Sequence, residues 1–192
     1  MHIQNGIPTG ANAQAATLYW EAFREKLGVV MGPNDKALSF INRVIDPSHA
    51  ISATDDTGVL LGVVGFKTSK GVLVGGDYTD LTAVYGHSGE LWRAGLLALL
   101  DRDVENERFL MDGIFVESNA RGQGVGSALL IAIMNEARKR GYPSLRVDVI
   151  DKNPRAKALY ERHGFKHLET KSLGPLRHIF KFQNATTMVK SL

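Results

Sequence analysis

Three glycines at alternate positions, Gly122, Gly124 and Gly126, stand directly before an apolar run in the segment "RGQGVGSALL" (121–130). Glycine leaves a turn without side chains, so another molecule can approach the main chain closely. Apolar residues then recur at positions 125, 129, 133 and 137, which is the spacing of a one-sided helix. A glycine loop that leads into a helix N-terminus presents free N–H groups and a positive dipole end. The segment therefore predicts an anion site, with phosphate as the best candidate.

Two common phosphate-binding loops do not match this segment. The P-loop requires GxxxxGK[ST], and no Lys-Ser or Lys-Thr pair follows these glycines. The dinucleotide motif GxGxxG requires glycine at its sixth position, which here is Ser127 or Leu129 depending on the register. The observed pattern is Arg-x-x-Gly-x-Gly, beginning at Arg121. Taken alone, it fits either an anion site or a plain turn before a helix.

A second motif lies about thirty residues downstream, in "LRVDVIDKNPRAKALYERHGF" (145–165), where Tyr160 follows Asn153 by seven residues. Together with "MDGIFVESNARGQGVGSALL" (111–130), it gives the order strand, RxxGxG, helix, strand, Asn and Tyr, Gly-Phe. This order resembles the GCN5-related N-acetyltransferase (GNAT) superfamily, closely so over residues 108–166. The chain departs from many members at "ESNA" (117–120), where they carry a proline and an aromatic residue, and we interpret this as a surface-turn difference.

The resemblance implies one domain over residues 1–192 with an α/β (α+β) fold. A mixed, mostly antiparallel central sheet is flanked by helices, and the family's fourth and fifth strands are splayed apart. Periodicity predicts helices over 14–27 (ended by Gly28), 34–45, Glu90 to about Asp101, 125–141 and 153–165. Strands are predicted over 49–56, 58–68, 108–116, 144–150, 166–171 and 176–183. Residues 69–89 read as a loose, glycine-rich stretch, and the tail "NATTMVKSL" (184–192) is a candidate dimerisation segment for a possible homodimer.

The resemblance also implies that acetyl-CoA is the co-substrate. Its pantetheine arm would pair with the backbone of Ile114, Phe115 and Val116, and an amide at 115 or 116 would face the thioester oxygen. Asn153 would cap its helix and contact the cofactor arm, with capping alone as the alternative. The pyrophosphate would lie on the loop and helix start, at Arg121, Gly122, Gln123, Gly124, Val125, Gly126 and Ser127.

Two candidate catalytic residues follow from the same resemblance. Tyr160 would protonate the CoA thiolate as it leaves, and the alternative is a core tyrosine. Asp112 would act as the general base or orient the acceptor, and the alternative is a structural carboxylate. Strand alternation predicts that the side chains of Asp112, Ile114 and Val116 share one face.

The acceptor site is predicted from the first two helices and from residues 71–92. Aromatic rings beside carboxylates suit a small cationic amine, although for Trp20 and Phe23 helix packing is the favoured interpretation. The candidates are Tyr19, Trp20, Phe23, Asp77, Tyr78, Asp80, Tyr85 and Trp92.

Composition excludes several other kinds of protein. The 192 residues contain no cysteine, which removes disulfides, thiolate metal sites and a cysteine acyl-enzyme, and which suits the cytoplasm. The histidines at 87, 163, 167 and 178 lack metal-ligand spacing, so no metal is expected. The net charge of +3 fits a polyanionic ligand, but no nucleic-acid-binding motif is present. No signal peptide is recognisable, and the apolar run "AGLLALL" (94–100) is too short to span a membrane.

These observations favour an acetyl-CoA-dependent N-acetyltransferase. It would transfer the acetyl group directly to a primary amine of a small molecule or peptide within a ternary complex, because no cysteine can carry an acyl-enzyme. Acylation of an alcohol or a protein N-terminus would use the same site. The alternative from another class is a non-catalytic acyl-CoA-binding sensor or scaffold module, which would not need the acid Tyr160.

Overall fold

The computed structural model describes residues 1–100 and 107–192. Its strands are β1 (His2–Asn5), β2 (Ala50–Thr54), β3 (Leu60–Thr68), β4 (Gly71–Val72), β5 (Phe109–Val116), β6 (Ser144–Ile150), β7 (Lys166–Ser172) and β8 (Asn184–Ser191). Its helices are α1 (Asn12–Met31), α2 (Asn34–Val44), α3 (Tyr78–Tyr85), α4 (His87–Leu100), α5 (Val125–Lys139), α6 (Pro154–Arg162) and α7 (Arg177–Phe180).

The strands form one sheet in the order β1-β2-β3-β5-β6-β8-β7, with β4 paired to the end of β3. The pairing of β5 with β6 is parallel, whereas the other pairings are antiparallel. This arrangement confirms the predicted mixed, mostly antiparallel sheet flanked by helices.

The two faces of the sheet carry different helices. Along β3, Val64 and Phe66 enter the core that contains the apolar face of α5 and part of α6. Leu60 and Val63 point the other way, into the core beneath α1. Successive side chains of a strand alternate between faces, so α5 and α6 cover one face, and α1 with α2 covers the other.

Helix α1 is longer than predicted. Gly28 lies inside it, and the helix ends where the amide of Gly32 bonds to the carbonyl of Gly28, immediately before Pro33. Glycine permits a helix end but does not force one, whereas the ring of Pro33 disfavours helical backbone in the residue before it. Helix α2 begins at Asn34 as predicted, but no side-chain hydrogen bond caps it. The Asn34 side chain instead accepts a hydrogen bond from the indole of Trp20.

The stretch 69–89, predicted to be loose, contains β4, α3 and the start of α4. Helix α3 is short, so its apolar periodicity is weak, but a reciprocal capping box between Asp77 and Asp80 starts it. Helix α4 begins at His87, earlier than the predicted Glu90, and the predicted end at Asp101 lies outside the described residues. Strand β1 was not predicted, because its four residues are exposed and carry no apolar pattern.

The strand predicted over 176–183 is wrong. A short 3-10 turn (Gly174–Leu176) and α7 occupy this region, and Lys181 adopts a left-handed conformation with φ of 58°. The turn lets Phe180 and Phe182 both pack against Val30 of α1, which satisfies the apolar pattern without a strand. The last strand is the tail itself, β8. Both of its edges are paired, with β6 and with β7, so its backbone belongs to the interior of the sheet.

Candidate active site

The sheet opens between β5 and β6. Their parallel pairing comprises three residue pairs and ends at Met111 and Val147. Beyond this point β5 stays with β3 as far as Val116, and β6 stays with β8 as far as Ile150. The fork, as we call this opening, therefore has Asp112 and Asp148 at its closed end. It corresponds to the predicted splaying of the family's fourth and fifth strands.

A β-bulge at Asp112 accompanies the fork. Gly113 pairs with Gly65 and Met111 pairs with Phe66, so Asp112 has no residue opposite it on β3. A bulge inserts one residue and shifts the alternation of side chains. Ile114 and Val116 consequently pack towards the α5 side of the sheet, whereas Asp112 lines a cavity on the α1 side.

The prediction that Asp112, Ile114 and Val116 share one face is therefore wrong. Simple alternation holds only within an unbroken ladder, and the bulge lies between Asp112 and the other two residues. The consequence is that the carboxylate and the apolar side chains serve opposite faces of the sheet.

The backbone of β5 beyond the bulge presents hydrogen-bonding groups to the fork. The amide of Glu117 donates to the carbonyl of Leu61 at 2.8 Å. In an antiparallel ladder such bonds alternate along the strand, so the amide of Phe115 points towards β3. Those of Ile114 and Val116 point towards the fork. Of the two amides predicted to face a thioester oxygen, the geometry leaves Val116 and adds Ile114, which lies nearer the closed end.

The glycine loop has the backbone form that its sequence predicts. Gly122 and Gly124 adopt φ of 78° and 84°, a left-handed region that side chains disfavour, and a Cβ at either would meet no atom within 4 Å. Helix α5 begins at Val125, and its first backbone bond runs from the amide of Ala128 to the carbonyl of Gly124. The amides of residues 125–127 therefore lack acceptors within the helix and face the loop opening. Free amides and the positive end of a helix dipole are the groups that attract a phosphate, so this geometry suits the predicted anion site.

One side chain ties this loop to the end of β5, and a second ties it to the turn that follows the strand. The guanidinium of Arg121 donates to the carbonyl of Val116 at 3.1 Å, and the Gln123 amide donates to the carbonyl of Asn119 at 2.7 Å. Arg121 thus links the glycine loop to the edge of β5 that faces the fork. The resemblance predicted Arg121 as a pyrophosphate contact, and the structure adds this anchoring bond.

Tyr160 lies on α6, on the α5 side of the sheet. It is 4% exposed, and its ring packs 5.6 Å from that of Phe165. Burial raises the pKa of its phenol above the usual value, so the hydroxyl stays protonated at neutral pH. Within the described part of the chain, this hydroxyl makes no hydrogen bond. Asn153 caps the same helix, since its side-chain oxygen accepts from the amide of Ala156 at 3.1 Å.

The cavity that Asp112 lines lies between the sheet and α1 and has a volume of about 550 Å³. Of the predicted acceptor residues, Tyr19, Phe23, Asp77 and Tyr78 line it. Burial, and then the negative charge of Asp112, raise the pKa of the Tyr19 phenol. The cavity also contains two lysines and three aspartates, so its walls combine aromatic rings with charges of both signs. The charged residues are Lys26, Lys67, Asp77, Asp112 and Asp148.

The other predicted acceptor residues do not line the cavity: three make packing or polar contacts elsewhere, and Trp92 is exposed. Trp20 is buried against α2, and Asp80 pairs with Arg43 at 2.8 Å. Tyr85 is buried and donates to the carbonyl of Met31. Trp92 is 43% exposed, with the guanidinium of Arg93 over its ring.

Asp148 was not among the site residues predicted from the sequence. It lies on β6 directly across the fork from Asp112, and its carboxylate accepts from Thr187 at 2.6 Å and from Arg146 at 3.2 Å. The available signal was its polar position in "SLRVDVI" (144–150). Its neighbour across the fork depends on long-range pairing, which a single sequence does not display.

Comparison with known proteins identifies the class. A model of the acetyltransferase (GNAT) family matches residues 13–165, so the chain belongs to this family of N-acetyltransferases. The match spans the α1 side, the fork, the glycine loop and Tyr160. Acetyltransferases of this family use acetyl-CoA as the acyl donor. One similar structure, a GNAT family acetyltransferase from Elizabethkingia anophelis with acetyl-CoA bound, superimposes with a TM-score of 0.50 at 12% identity, covering 74% of this chain and 75% of the other.

Curated relatives match the chain over part of their length. Acetyltransferase Atu2258 of Agrobacterium fabrum is 44% identical over 63 residues, which are 33% of this chain and 43% of that protein. Thialysine N-epsilon-acetyltransferase of Bos taurus is 36% identical over 73 residues, 38% of this chain and 41% of the relative. The chain thus spans less than half the length of these two relatives.

Solved structures match over the full length. An N-acetyltransferase from Staphylococcus aureus Mu50 superimposes with a TM-score of 0.67 at 13% identity, covering 99% of this chain and 100% of the other. A ribosomal-protein-alanine N-acetyltransferase from Brucella melitensis gives a TM-score of 0.62 at 19% identity, covering 100% of both chains. At these identities the likeness concerns the fold.

Two negative findings apply to residues 1–100 and 107–192. No group of three or more His, Cys, Asp or Glu side chains is arranged to hold a metal ion. No helix there is both long and apolar enough to cross a membrane.

Proposed function

We propose that this protein is an acetyl-CoA-dependent N-acetyltransferase that transfers the acetyl group directly to a primary amine of a small molecule or peptide. The observation that carries the proposal is the fork. The glycine loop and a backbone edge lie on one side of it, and a cavity lined by aromatic rings and by charges of both signs lies on the other. A thioester held in the fork is accessible from both faces of the sheet.

The donor half of the site fits acetyl-CoA residue by residue. The amides of residues 125–127 bind the diphosphate, and Gly122 and Gly124 let it approach the main chain. The outward amides of Val116 and Ile114 pair with the pantetheine arm in the manner of an added strand. Because Ile114 is farther from the glycine loop than Val116 is, the amide of Ile114 is the one that stabilises the developing oxyanion.

The acceptor half of the site, on the cavity side of the fork, binds the amine substrate. An alkylammonium ion must lose a proton before it can attack, and Asp112 accepts that proton at the closed end of the fork. The carboxylate of Asp148, which accepts hydrogen bonds from Arg146 and Thr187, attracts the ammonium group. The rings of Tyr19 and Phe23 pack against the apolar part of the acceptor.

Transfer of the acetyl group to the amine then follows. The neutral amine nitrogen forms a bond to the thioester carbon, and the carbon–sulfur bond breaks. The thiolate takes a proton from Tyr160, the nitrogen releases its second proton to solvent water as it becomes an amide, and a proton from solvent restores the phenol. Since the phenol is buried, it remains a donor over the whole physiological pH range. With no cysteine in the chain, no thioester acyl-enzyme can intervene, which supports direct transfer.

The sequence composition favours a cytoplasmic location, as a cysteine-free chain suits but does not require a reducing compartment.

The experiment is CoA release from acetyl-CoA across a panel of primary amines, followed with a thiol-reactive dye. Because the enzyme has no cysteine, every thiol signal comes from the product. Amine-dependent release that collapses in Tyr160→Phe is the expected result. If acetyl-CoA raises the melting temperature but no amine is acetylated, the acyl-CoA sensor becomes the better explanation.

A further inference from the structure

One side-chain hydrogen bond joins the first turn of α5 to the end of α6. The imidazole Nε2 of His163 lies 3.0 Å from the hydroxyl of Ser127. Ser127 belongs to the turn whose free amides face the glycine loop. His163 ends α6, where its amide bonds to the carbonyls of Leu159 and Tyr160. The helices touch beside this bond, since a Cβ on Gly126 would lie 3.3 Å from the Leu159 side chain.

The direction of this hydrogen bond decides what Ser127 offers to an anion. A hydroxyl has one donor and two acceptor lone pairs. If Ser127 donates to an unprotonated Nε2, its lone pairs face the loop and repel a phosphate. If Nε2 carries the proton, His163 donates to Ser127, and the serine O–H is free to donate to a phosphate oxygen.

We propose that His163 is a positioning residue for the acyl donor: it donates through Nε2 to Ser127, so that the Ser127 hydroxyl donates to the diphosphate of CoA. The inference rests on the proposed function, because it requires a diphosphate at the start of α5. It adds to the main-chain anion site a side-chain donor that depends on a second helix.

The test is a double-mutant cycle on CoA affinity, measured by calorimetric titration of the full chain. Ser127→Ala and His163→Ala are each expected to weaken CoA binding about tenfold, as for loss of one charge-assisted hydrogen bond. The double variant should be no weaker than the single variants, because both remove the same donor. His163→Gln retains an N–H donor and should recover most of the affinity. His167→Ala, which removes an exposed histidine bonded to Thr170, is the matched control and should leave binding unchanged.

A second readout separates positioning from general structural support. With acetyl-CoA, the His163→Ala variant should show a raised KM and a nearly unchanged kcat. With acetyl-pantetheine, which lacks the diphosphate, kcat/KM should be the same as in the unaltered protein. Additive losses in the double variant, or an equal loss with acetyl-pantetheine, would overturn the inference. If the unaltered protein does not bind CoA, the proposed function fails, and this inference fails with it.

Discussion

At the residue scale, the proposed chemistry depends on where single polar groups lie relative to the sheet. Tyr160 lies on the α5 side of the sheet, and Asp112 lies on the α1 side because the bulge turns it there. A donor and an acceptor can therefore be served by different faces without competing for space. We therefore expect substitutions of Tyr160 and of Asp112 to change the kinetics in different ways.

Tyr160→Phe keeps the buried ring against Phe165 and removes a hydroxyl that has no partner in the described ranges. We expect kcat to fall at least about 10²-fold, because general acid catalysis typically contributes this much. The free energy of unfolding should change by less than about 1 kcal/mol. Steady-state kinetics and urea unfolding measure the two effects, with Tyr142→Phe as the control. Unchanged kcat in Tyr160→Phe would assign the acid elsewhere.

Asp112→Asn removes the proposed base and should lower the rate about 10²-fold at pH 7. The loss should shrink as the pH rises towards the pKa of the acceptor amine, since the amine then reaches the site already neutral. Asp148→Asn should instead raise KM for the amine more than it lowers kcat. Rate–pH profiles of the three proteins distinguish these roles. A deficit in Asp112→Asn that stays constant with pH would argue against a base.

At the element scale, helix α1 is held close to the bulged strand. Gly113 on β5 lies directly beneath Phe23 of α1, where a Cβ would come within 2.5 Å of the ring. Phe23 also contacts the rings of Tyr19 and Phe115. The absence of a side chain at Gly113 therefore sets both the approach of α1 and one wall of the acceptor cavity.

Gly113→Ala should force Phe23 away and destabilise the protein by about 1–3 kcal/mol, as for other overpacked cores. KM for the acceptor should rise, because Phe23 lines the cavity. The matched control is Gly28→Ala within α1, where a Cβ meets no atom within 4 Å. There the same substitution should stabilise by about 0.5–1 kcal/mol, from helix propensity. Urea denaturation measures both, and equal effects would contradict this account of Gly113.

At the scale of the whole molecule, three phenols couple stability to alkaline pH: those of Tyr85 and Tyr160 are buried, and that of Tyr19 is half-buried. Burial raises the pKa of Tyr85 to about 12, and it raises the pKa of Tyr19 and Tyr160 further. In the unfolded chain a phenol titrates near pH 10. Below that pH both states keep the protons, so these groups do not affect the pH dependence. Above it, the unfolded state loses protons that the folded state retains, and stability falls.

We therefore expect the urea midpoint to be steady from pH 8 to about 9.5 and to drop between pH 10 and 12. Absorbance at 295 nm should show these three phenols ionising only as the protein unfolds. In Tyr160→Phe the alkaline decline should be shallower, because one raised phenol is gone. A folded protein in which every tyrosine ionises near pH 10 would contradict the expectation.

The sequence by itself determined the local features of the site. The start of α5, the capping by Asn153 and the bounds of β6 depend on neighbouring residues, and the structure has them as predicted. The order of the motifs likewise predicted the family and the sheet, which the family match and the solved structures confirm. Roles assigned to Tyr160, Asp112 and the loop remain predictions.

The tertiary structure decided what depends on distant partners. The bulge at Asp112 arises from the register between β3 and β5, and the pairing of the tail as β8 depends on β6 and β7. The cavity places Asp112 and Asp148 together, although 36 residues separate them, because two strands diverge from their last shared pair. Local spacing fixes how a segment bends, whereas its neighbours across the sheet are fixed by which pairing buries the most apolar surface.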